Sequence, residues 1–333
     1  MRRALPIVAG LVVGVVVALA VLLPGYVGLD RATPFTQLAA LTPPLLVVVM
    51  ASAFVGRFAG VLVRRKGPPL DERRPRLFAV GFAAMMGAAV VGLTTAGIVG
   101  SRLLADDPPP TPPGSPELAV LSLNVDHGGA DVAAVAALVR ERRADLVVLP
   151  EAGDAYRARL LPLLPGYRGY SAPATEDGGS TTLLSTVDLR VTPTRGALFG
   201  SLEATLPDGT RLVAVHTAAP VPGQVPLWRA DLERLVAPHC AAPGGAAVLV
   251  AGDLNATADQ RAFRAAAGGC TDALPSVGAG TVATFPTNLP RWFGVQIDHV
   301  LVNGGPTVTD AEVLDVPGTD HRALLARIVV PGR

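Results

Sequence analysis

The chain has 333 residues, enough for about two domains, and its formal net charge of +1 hides an uneven distribution. Residues 117–333 contain 17 Arg and 22 acidic residues, a net charge of −5, whereas the first third of the chain is strongly apolar. This balance argues against a protein that binds a long polyanion non-specifically, because such proteins usually carry a basic face.

Three segments without charged residues follow one another at the start of the chain, at 4–23, 37–56 and 77–100. Each is close to the roughly 20 apolar residues that a transmembrane helix needs. One such run could also be a buried helix of a soluble protein, but three in succession favour membrane helices. We therefore predict a transmembrane region of about three helices over residues 1–105.

The loops around these segments predict the orientation of the chain. The loop after the first segment holds only Asp30 and Arg31, whereas basic residues crowd between the second and third segments. These basic residues are Arg64, Arg65, Lys66, Arg73, Arg74 and Arg76. Because basic loops stay cytoplasmic, the chain after residue 100 is expected outside the cytoplasm, on a multi-pass cell-membrane protein whose partner is the lipid bilayer.

The first segment also resembles a secretory signal. Met1-Arg2-Arg3 precedes the apolar run, and Ala18-Leu19-Ala20 resembles a cleavage site. The expected orientation is the same for a cleaved signal and for a retained helix.

Residues 106–117, DDPPPTPPGSPE, predict a linker. Proline at this density favours extended polyproline II, a semi-rigid spacer. A disordered proline stretch is the alternative, and it is almost the same physical object.

The chain has two cysteines, Cys240 and Cys270, both after the linker. An oxidising compartment permits a disulfide between them. Two unrelated buried thiols are the alternative.

Short apolar runs alternate with helical patterns in residues 118–333, which predicts a mixed-sheet α/β domain. Asp131 caps a predicted helix with apolar residues at helical spacing from Val132 to Val139, and the basic residues at 140–143 suit the end of its dipole. Further helices are predicted at 225–236 and 259–266. Strands are predicted at 118–124, 146–149, 182–186, 201–206, 212–216, 247–251, 296–302 and 323–330.

Acidic and amide side chains follow the first two of these strands. Glu151 comes directly after an apolar strand, and Asn124 and Asp126 stand at the end of the preceding one. Ligands of α/β sheets bind at such strand ends, and Mg²⁺ needs only a few oxygen ligands. Glu151 alone would be read as a surface acid, but the three residues together indicate a metal site.

Gly252-Asp253-Leu254-Asn255 follows the strand predicted at 247–251. Alternation along an extended segment places Asp253 and Asn255 on the same side. One can align or deprotonate a water while the other donates to a phosphoryl oxygen. An Asx-turn that caps the helix near Asp259 is the alternative.

Histidines paired with carboxylates occur near the C-terminus, in Asp298-His299 and Asp320-His321. A histidine oriented by a carboxylate is typical of a general base or a transition-state cation. His216 ends a predicted strand, where an imidazolium could bind phosphate. His299 lies within a strand and is expected to be a structural hydrogen-bonding residue, whereas His127 and His239 receive no role.

The ordered motifs LNVD, a strand-ending Glu, HTAAP, GDLN, IDHV and TDH resemble the endonuclease/exonuclease/phosphatase superfamily over residues 118–330. This superfamily includes deoxyribonuclease I, abasic-site endonucleases, sphingomyelinases and inositol-polyphosphate phosphatases. The resemblance implies an α/β (α+β) fold over 118–333, a four-layer sandwich of two mixed β-sheets flanked by helices.

The resemblance also implies a role for each motif residue. The metal-site positions are Glu151 as main magnesium ligand, Asn124 beside it, and Asp126 and Asp320 as further metal-proximal acids. The catalytic positions are His216 at the phosphate, Asp253 and Asn255 at the attacking water and phosphate, and His321 oriented by Asp298. The resemblance leaves open whether Asp253 or His321 takes the proton of the water.

A few positions depart from the family pattern. Pro150 and Thr319 replace the usual Gln and Ser, and Thr186 stands where an Arg is common. Arg291-Trp292-Phe293 is the best candidate for a substrate or membrane contact. An ordinary loop with one buried aromatic residue is the alternative there.

The sequence therefore predicts a membrane-tethered, extracytoplasmic phosphoesterase that depends on Mg²⁺, with Mn²⁺ as a substitute. Its substrate would be a phosphodiester or phosphomonoester of nucleic acid, a lipid headgroup or a small molecule, and no protein partner is predicted. A non-catalytic membrane-anchored binding module on the same fold is the alternative. A transporter is disfavoured because the apolar segments lack polar residues.

Overall fold

The computed structural model describes residues 5–52, 74–107, 114–174, 179–196, 198–241 and 247–330. The chain divides into two compact units, Met1–Ser101 and Arg102–Arg333. Residues 108–113 of the predicted linker lie outside the described residues.

The first unit is helical. Its helices are α1 (Leu5–Leu22), α2 (Phe35–Ala40), α3 (Thr42–Ser52) and α4 (Arg74–Ser101). Helices α1 and α4 pack closely because Gly10 and Gly14 of α1 face the backbone of α4. A Cβ on Gly10 would lie 2.6 Å from the carbonyl oxygen of Val80. Small residues of this kind let the backbones of apolar helices approach each other.

Among the described residues, two helices rather than the predicted three are long and apolar enough to cross a membrane: Leu5–Leu22 and Ala79–Ser101. Within the segment predicted at 37–56 the described helix is broken, because α2 ends at Ala40 and α3 begins at Thr42. The reason is the pair Pro43-Pro44. Proline has no N–H to continue the hydrogen bonds of α2, but it is tolerated in the first turn of a new helix. Residues 53–56 lie outside the described residues.

The second unit contains two six-stranded sheets within its described residues, in the orders β11-β12-β1-β2-β4-β3 and β5-β6-β7-β8-β10-β9. The pairs β1–β2 and β7–β8 are parallel and the other pairs are antiparallel, so both sheets are mixed. The strands of the first sheet are β1 (Glu117–Ser122), β2 (Leu146–Pro150), β3 (Arg168–Ser171), β4 (Thr181–Ser185), β11 (Thr307–Leu314) and β12 (Ala323–Val329). Those of the second are β5 (Arg190–Arg195), β6 (Gly200–Thr205), β7 (Arg211–His216), β8 (Val248–Asp253), β9 (Thr271–Asp272) and β10 (Asp298–Asn303).

Helices cover the outer faces of both sheets. They are α5 (Val132–Arg142), α6 (Asp154–Leu160), α7 (Val225–Asp231), α8 (Ala237–Cys240) and α9 (Arg261–Ala267). The short helix α10 (Ala273–Ser276) instead contributes Ala273 and Leu274 to the core between the sheets. Successive side chains of β2 point to opposite faces of the first sheet and so join different layers of the unit. Leu146 and Val148 join the core between the sheets, whereas Val147 and Leu149 pack with α5 and α6. The predicted four-layer sandwich of two mixed sheets is confirmed.

Strand register brings three predicted site residues into one row of the second sheet. Asp253 at the end of β8 pairs with His216 at the end of β7 and with Asp298 at the start of β10. In the first sheet, Asn124 and Glu151 follow the parallel strands β1 and β2. Both sheets therefore place polar residues at the carboxyl ends of their parallel strands.

The structure differs from the predicted elements mainly at the sheet edges. Strands β3, β5, β9 and β11 were not predicted. Strand β5 contains Pro193, which suits an edge strand such as β5 because proline cannot donate to a ladder on both sides. The helix predicted at 225–236 is α-helical to Asp231 and then π-helical over Leu232–Val236.

The structure joins Cys240 and Cys270 in a disulfide, with Cα atoms 5.0 Å apart.

A short junction segment, residues 102–106, belongs to the second unit. The two terminal guanidinium nitrogens of Arg102, Nη1 and Nη2, donate to the Asp259 carboxylate at 2.8 and 2.7 Å. The backbone N–H of Asp106 donates to the carbonyl of Ser276 at 2.8 Å. The second unit thus begins before the Pro-rich residues, and the side chain of Arg102 binds Asp259 in the loop that follows Asn255.

Candidate active site

Glu151 lies directly after β2 in a left-handed backbone conformation, with φ of 61°. This conformation is uncommon for a residue other than glycine. Its Oε1 accepts a hydrogen bond from the Asn124 amide at 2.9 Å, and its Oε2 accepts from the backbone N–H of His127 at 2.8 Å. The carboxylate is thereby fixed at the rim of the first sheet with only 14% of its side chain exposed.

Asn124 connects the two sheets. Its Nδ2 donates to Glu151 and, at 3.0 Å, to Oδ2 of Asp253, while its Oδ1 accepts from the backbone N–H of Asp126. The two carboxylates need donors and the N–H needs an acceptor, so this amide orientation is the one that satisfies all three. In this structure Asn124 presents its NH₂ group, not its oxygen, to the predicted metal residue.

Asp253 is buried at the centre of the site. Its Oδ1 accepts from the backbone N–H of Asn255 at 2.8 Å. Its Oδ2 lies 3.7 Å from Nε2 of His216 and 3.8 Å from Nε2 of His321. Burial and the nearby charge of Asp298 raise the pKa of Asp253 to about 7, although His321 and the Asn124 hydrogen bond oppose the shift.

Nδ1 of His321 lies 2.9 Å from Oδ2 of Asp298. The ring also packs against Phe285, with centroids 4.9 Å apart. Burial alone lowers the pKa of His321, but the charge and hydrogen bond of Asp298, together with Asp253 and Asp320, outweigh it and raise the pKa to about 10. His321 is therefore a cation at neutral pH.

His216 is 2% exposed and stacks on Phe199 with ring centroids 3.9 Å apart. Its Nε2 lies 3.8 Å from Glu151 and 3.7 Å from Asp253. Burial, with the adjacent His321 cation, nevertheless lowers the pKa of His216 to about 3. The structure thus favours a neutral imidazole, not the imidazolium considered from the sequence.

The backbone around the GDLN motif explains its residue types. Gly252 has φ of 146°, and a Cβ there would collide with the carbonyl oxygen of Val215 on the adjacent strand. Asn255 has φ of 46°, and its Nδ2 donates to the carbonyl of Thr217 at 3.1 Å. The alternative is observed only in part: Asp253 forms an Asx-turn through the N–H of Asn255, but this turn does not cap α9, whose N-cap position is Gln260.

Asp126 and Asp320 lie at the open side of the site. Asp126 is exposed, and the Asp320 carboxylate is half-exposed, 3.9 Å from Nε2 of His321. Burial raises the pKa of Asp320, with the negative charges of Asp126 and Glu151 adding to the shift. These acids are therefore close enough to interact electrostatically with Glu151.

The structure brings the predicted site residues into one cleft. Glu151 and His321, 170 positions apart in sequence, are connected through Asn124 and Asp253. The cleft residues are Asn124, Asp126, Glu151, His216, Asp253, Asn255, Asp298, Asp320 and His321.

No role was predicted for His127, although it is adjacent to Asp126. Its Nδ1 lies 2.5 Å from Oε2 of Glu151. Phe199, which stacks on His216, was not predicted either, because nothing local marks a phenylalanine as a stacking partner. His299 is confirmed as structural, since its two nitrogens contact Asp272 and the carbonyl of Ala256.

The Arg291-Trp292-Phe293 loop exposes Trp292, which is 63% accessible. The guanidinium of Arg291 is already engaged within the protein, because it lies 2.6 Å from Asp315 and donates to the carbonyl of Val313. A substrate or membrane contact at Trp292 stays a prediction.

A sequence model of the Endonuclease/Exonuclease/phosphatase family matches residues 121–321, more than half of the chain. A humanized TDP2 of D. rerio has a TM-score of 0.53 and 17% identity, over 64% of this chain and 98% of that chain. A 3'-5' exonuclease (NExo) of Neisseria meningitidis has a TM-score of 0.52 and 17% identity, over 63% and 98%. A Neisseria 3' phosphatase bound to product DNA hairpin has a TM-score of 0.51 and 16% identity, over 63% and 98%. No curated protein matches the chain in sequence.

Proposed function

Because the chain belongs to the Endonuclease/Exonuclease/phosphatase family, we propose that it is a metal-dependent hydrolase of phosphate esters, tethered to a membrane. The observation that carries this proposal is the convergence of a fixed carboxylate, Glu151, with the Asp298–His321 pair on either side of Asp253. A binding module would not need a histidine cation and a carboxyl group of pKa about 7 held together in a buried row.

The donor set fits a divalent cation. Carboxylate oxygens of Asp126 and Glu151 and a nitrogen of His127 lie within 4.8 Å of one another. The two carboxylates of this set suit Mg²⁺ or Mn²⁺. A metal ion held there would supply positive charge to the phosphoryl oxygens of the substrate. We assign Asn124 to positioning Glu151 and Asp253, because its oxygen is already engaged by a backbone N–H.

The different charge states of Asp253 and His321 suggest different roles. Asp253, with a pKa of about 7, can accept a proton from water at neutral pH. His321 is held as a cation by Asp298 and can donate to the oxyanion that develops at phosphorus or at the leaving group. His216, neutral and stacked on Phe199, can donate one ring N–H to the substrate. The Asn255 amide, which gives one hydrogen to the carbonyl of Thr217, can donate the other to a phosphoryl oxygen of the substrate.

The proposed substrate class rests on the charge of the second unit and on its tethering. The Neisseria 3' phosphatase, a structural neighbour, was solved with DNA, but residues 117–333 carry a net charge of −5 and no lysine. A long polyanion is disfavoured by that balance. We therefore propose a small or lipid-like phosphate ester, which a membrane-tethered enzyme would meet at the bilayer.

The membrane arrangement is also a proposal. Two apolar helices, Leu5–Leu22 and Ala79–Ser101, have the length to span a bilayer, and the basic residues between residues 64 and 76 favour the cytoplasm for the loop that precedes the second. The domain that follows would then lie outside the cytoplasm. The Cys240–Cys270 disulfide supports an oxidising compartment.

Hydrolysis of bis(p-nitrophenyl) phosphate tests the activity. The wild-type chain with Mg²⁺ or Mn²⁺ is compared with Glu151→Gln and His321→Ala, and His239→Ala serves as a control away from the cleft. The proposal is supported if Glu151→Gln and His321→Ala lose hydrolysis while His239→Ala keeps it. Equal rates in all four chains would favour a non-catalytic binding module. DNA, sphingomyelin and phosphoinositides then serve as candidate natural substrates.

A further inference from the structure

His127 is held against the metal-site carboxylate by two separate contacts. Its backbone N–H donates to Oε2 of Glu151 at 2.8 Å, and its ring Nδ1 lies 2.5 Å from the same oxygen. Its backbone is in the left-handed region, with φ of 52°, directly after Asp126 with φ of 47°. Two successive residues in this conformation turn both side chains back toward Glu151.

The His127 ring has little other work in the described structure. Its side chain is 73% exposed, so it contributes little to the core. The other histidines of the site differ in this respect, because His216 and His321 are buried and each packs against a phenylalanine. The imidazole of His127 is thus free to move slightly while remaining beside Glu151.

The spacing of the donor atoms is compatible with a shared cation. One donor atom from each of Asp126, His127 and Glu151 lies within 4.8 Å of the other two. Two ligands that each bind a metal at about 2.1 Å, at right angles, stand roughly 3 Å apart. The present contact between His127 and Glu151 needs to open by only about half an ångström to reach that spacing, which an exposed side chain allows.

We propose that His127 is a nitrogen ligand of the metal site, together with Glu151 and Asp126, and that the site therefore prefers a divalent transition-metal ion to Mg²⁺. This inference rests on the proposed function, because it concerns the same metal. Imidazole favours ions such as Zn²⁺, whereas sites with oxygen ligands alone suit Mg²⁺. The competing explanation is that His127 only donates a hydrogen bond that orients Glu151.

Manganese binding to the full-length chain separates these two explanations. Mn²⁺ serves as the probe because it is paramagnetic, and a nitrogen ligand produces ¹⁴N modulation in its electron spin echo. The wild-type chain, His127→Ala, Glu151→Gln and the control His239→Ala are compared. Free Mn²⁺ measured by electron paramagnetic resonance gives each affinity, and displacement by Mg²⁺ and Zn²⁺ gives the preference.

The proposal expects ¹⁴N modulation in the wild-type chain and in His239→Ala, and its loss in His127→Ala. Mn²⁺ affinity should fall at least about tenfold in His127→Ala, since even outer-shell partners of a metal typically contribute tenfold or more. The preference for Zn²⁺ over Mg²⁺ should fall in the same variant.

Other outcomes overturn the proposal in distinguishable ways. If Glu151→Gln abolishes Mn²⁺ binding while the ¹⁴N modulation is the same in the wild-type chain and in His127→Ala, the metal site stands and His127 is not a ligand, even where His127→Ala binds Mn²⁺ more weakly. If Glu151→Gln binds Mn²⁺ as the wild-type chain does, the metal does not sit on Glu151, and the metal-dependent mechanism fails together with this inference.

Discussion

Replacing Arg102 by alanine is expected to destabilise the second unit by about 3 kcal/mol, the low end of the range for breaking a buried ion pair. Arg102 donates through two nitrogens to Asp259, and the two side chains are 12% and 1% exposed. Without Arg102, the Asp259 carboxylate loses both charged donors while remaining in the interior. For a unit of this size the loss corresponds to a fall in the thermal midpoint of roughly 6–12 °C.

Tryptophan fluorescence in a denaturant titration measures this loss selectively. The chain has two tryptophans, Trp228 and Trp292, and both lie in the second unit. Trp228 is fully buried, so its emission should shift to the red when this unit unfolds. The full-length chain can therefore be used, in mild detergent, without interference from the apolar helices.

Two further variants make the Arg102 prediction refutable. Arg211→Ala breaks an ion pair with Glu203 whose side chains are 45% and 39% exposed, and it should cost at most about 1 kcal/mol. The double change Arg102→Met with Asp259→Leu removes both charges and should recover much of the stability. If Arg102→Ala costs no more than Arg211→Ala, the junction segment is not part of the folded unit in the way described.

Three other predictions concern the site and its support. In a pH–rate profile, kcat/KM for a phosphate ester should rise as pH passes about 7, where Asp253 loses its proton, and fall toward pH 10, where His321 loses its proton. The variant Asp298→Asn should move the fall at high pH to a lower pH. The pKa of Asp253 in the folded chain lies above the ordinary value of 3.8, so the contribution of Asp253 to the free energy of unfolding is smaller above pH 7 than below pH 4. Asp253→Asn should therefore raise the thermal midpoint at pH 8 while abolishing hydrolysis. Replacing Cys240 and Cys270 by serine removes a link across 30 positions and should cost about 3–4 kcal/mol in a denaturant titration.

Each of these has a clear contrary result. An unchanged fall at high pH in Asp298→Asn would mean that this carboxylate does not hold the proton on His321. A lower midpoint in Asp253→Asn at pH 8 would mean that the buried carboxylate is stabilised by its neighbours more than burial destabilises it. Equal stability of the serine variant and the wild-type chain would mean that the disulfide constrains the unfolded chain little.

The sequence by itself determined the elements whose signal is local. Strands β2, β7 and β8 are continuous apolar runs, and α5 carries both an N-cap, Asp131, whose side chain accepts from the N–H of Ala134, and helical spacing of its apolar residues. The place of a candidate site residue was also predictable where a polar residue follows such a strand, as Glu151 follows β2. Edge strands were missed because residues exposed on one side need not alternate, and the break in 37–56 was missed because mean hydropathy ignores where Pro43 stands.

Tertiary structure alone decided how the site residues act on one another. Asn124 reaches Asp253 across 129 positions and from one sheet to the other, and no local pattern encodes that contact. The protonation of Asp253, His216 and His321 depends on burial and on charges brought close by both sheets. Hydrophobic periodicity is a property of neighbouring residues, whereas desolvation and Coulomb interaction depend on distances in space, which the chain acquires only when the two sheets pack together.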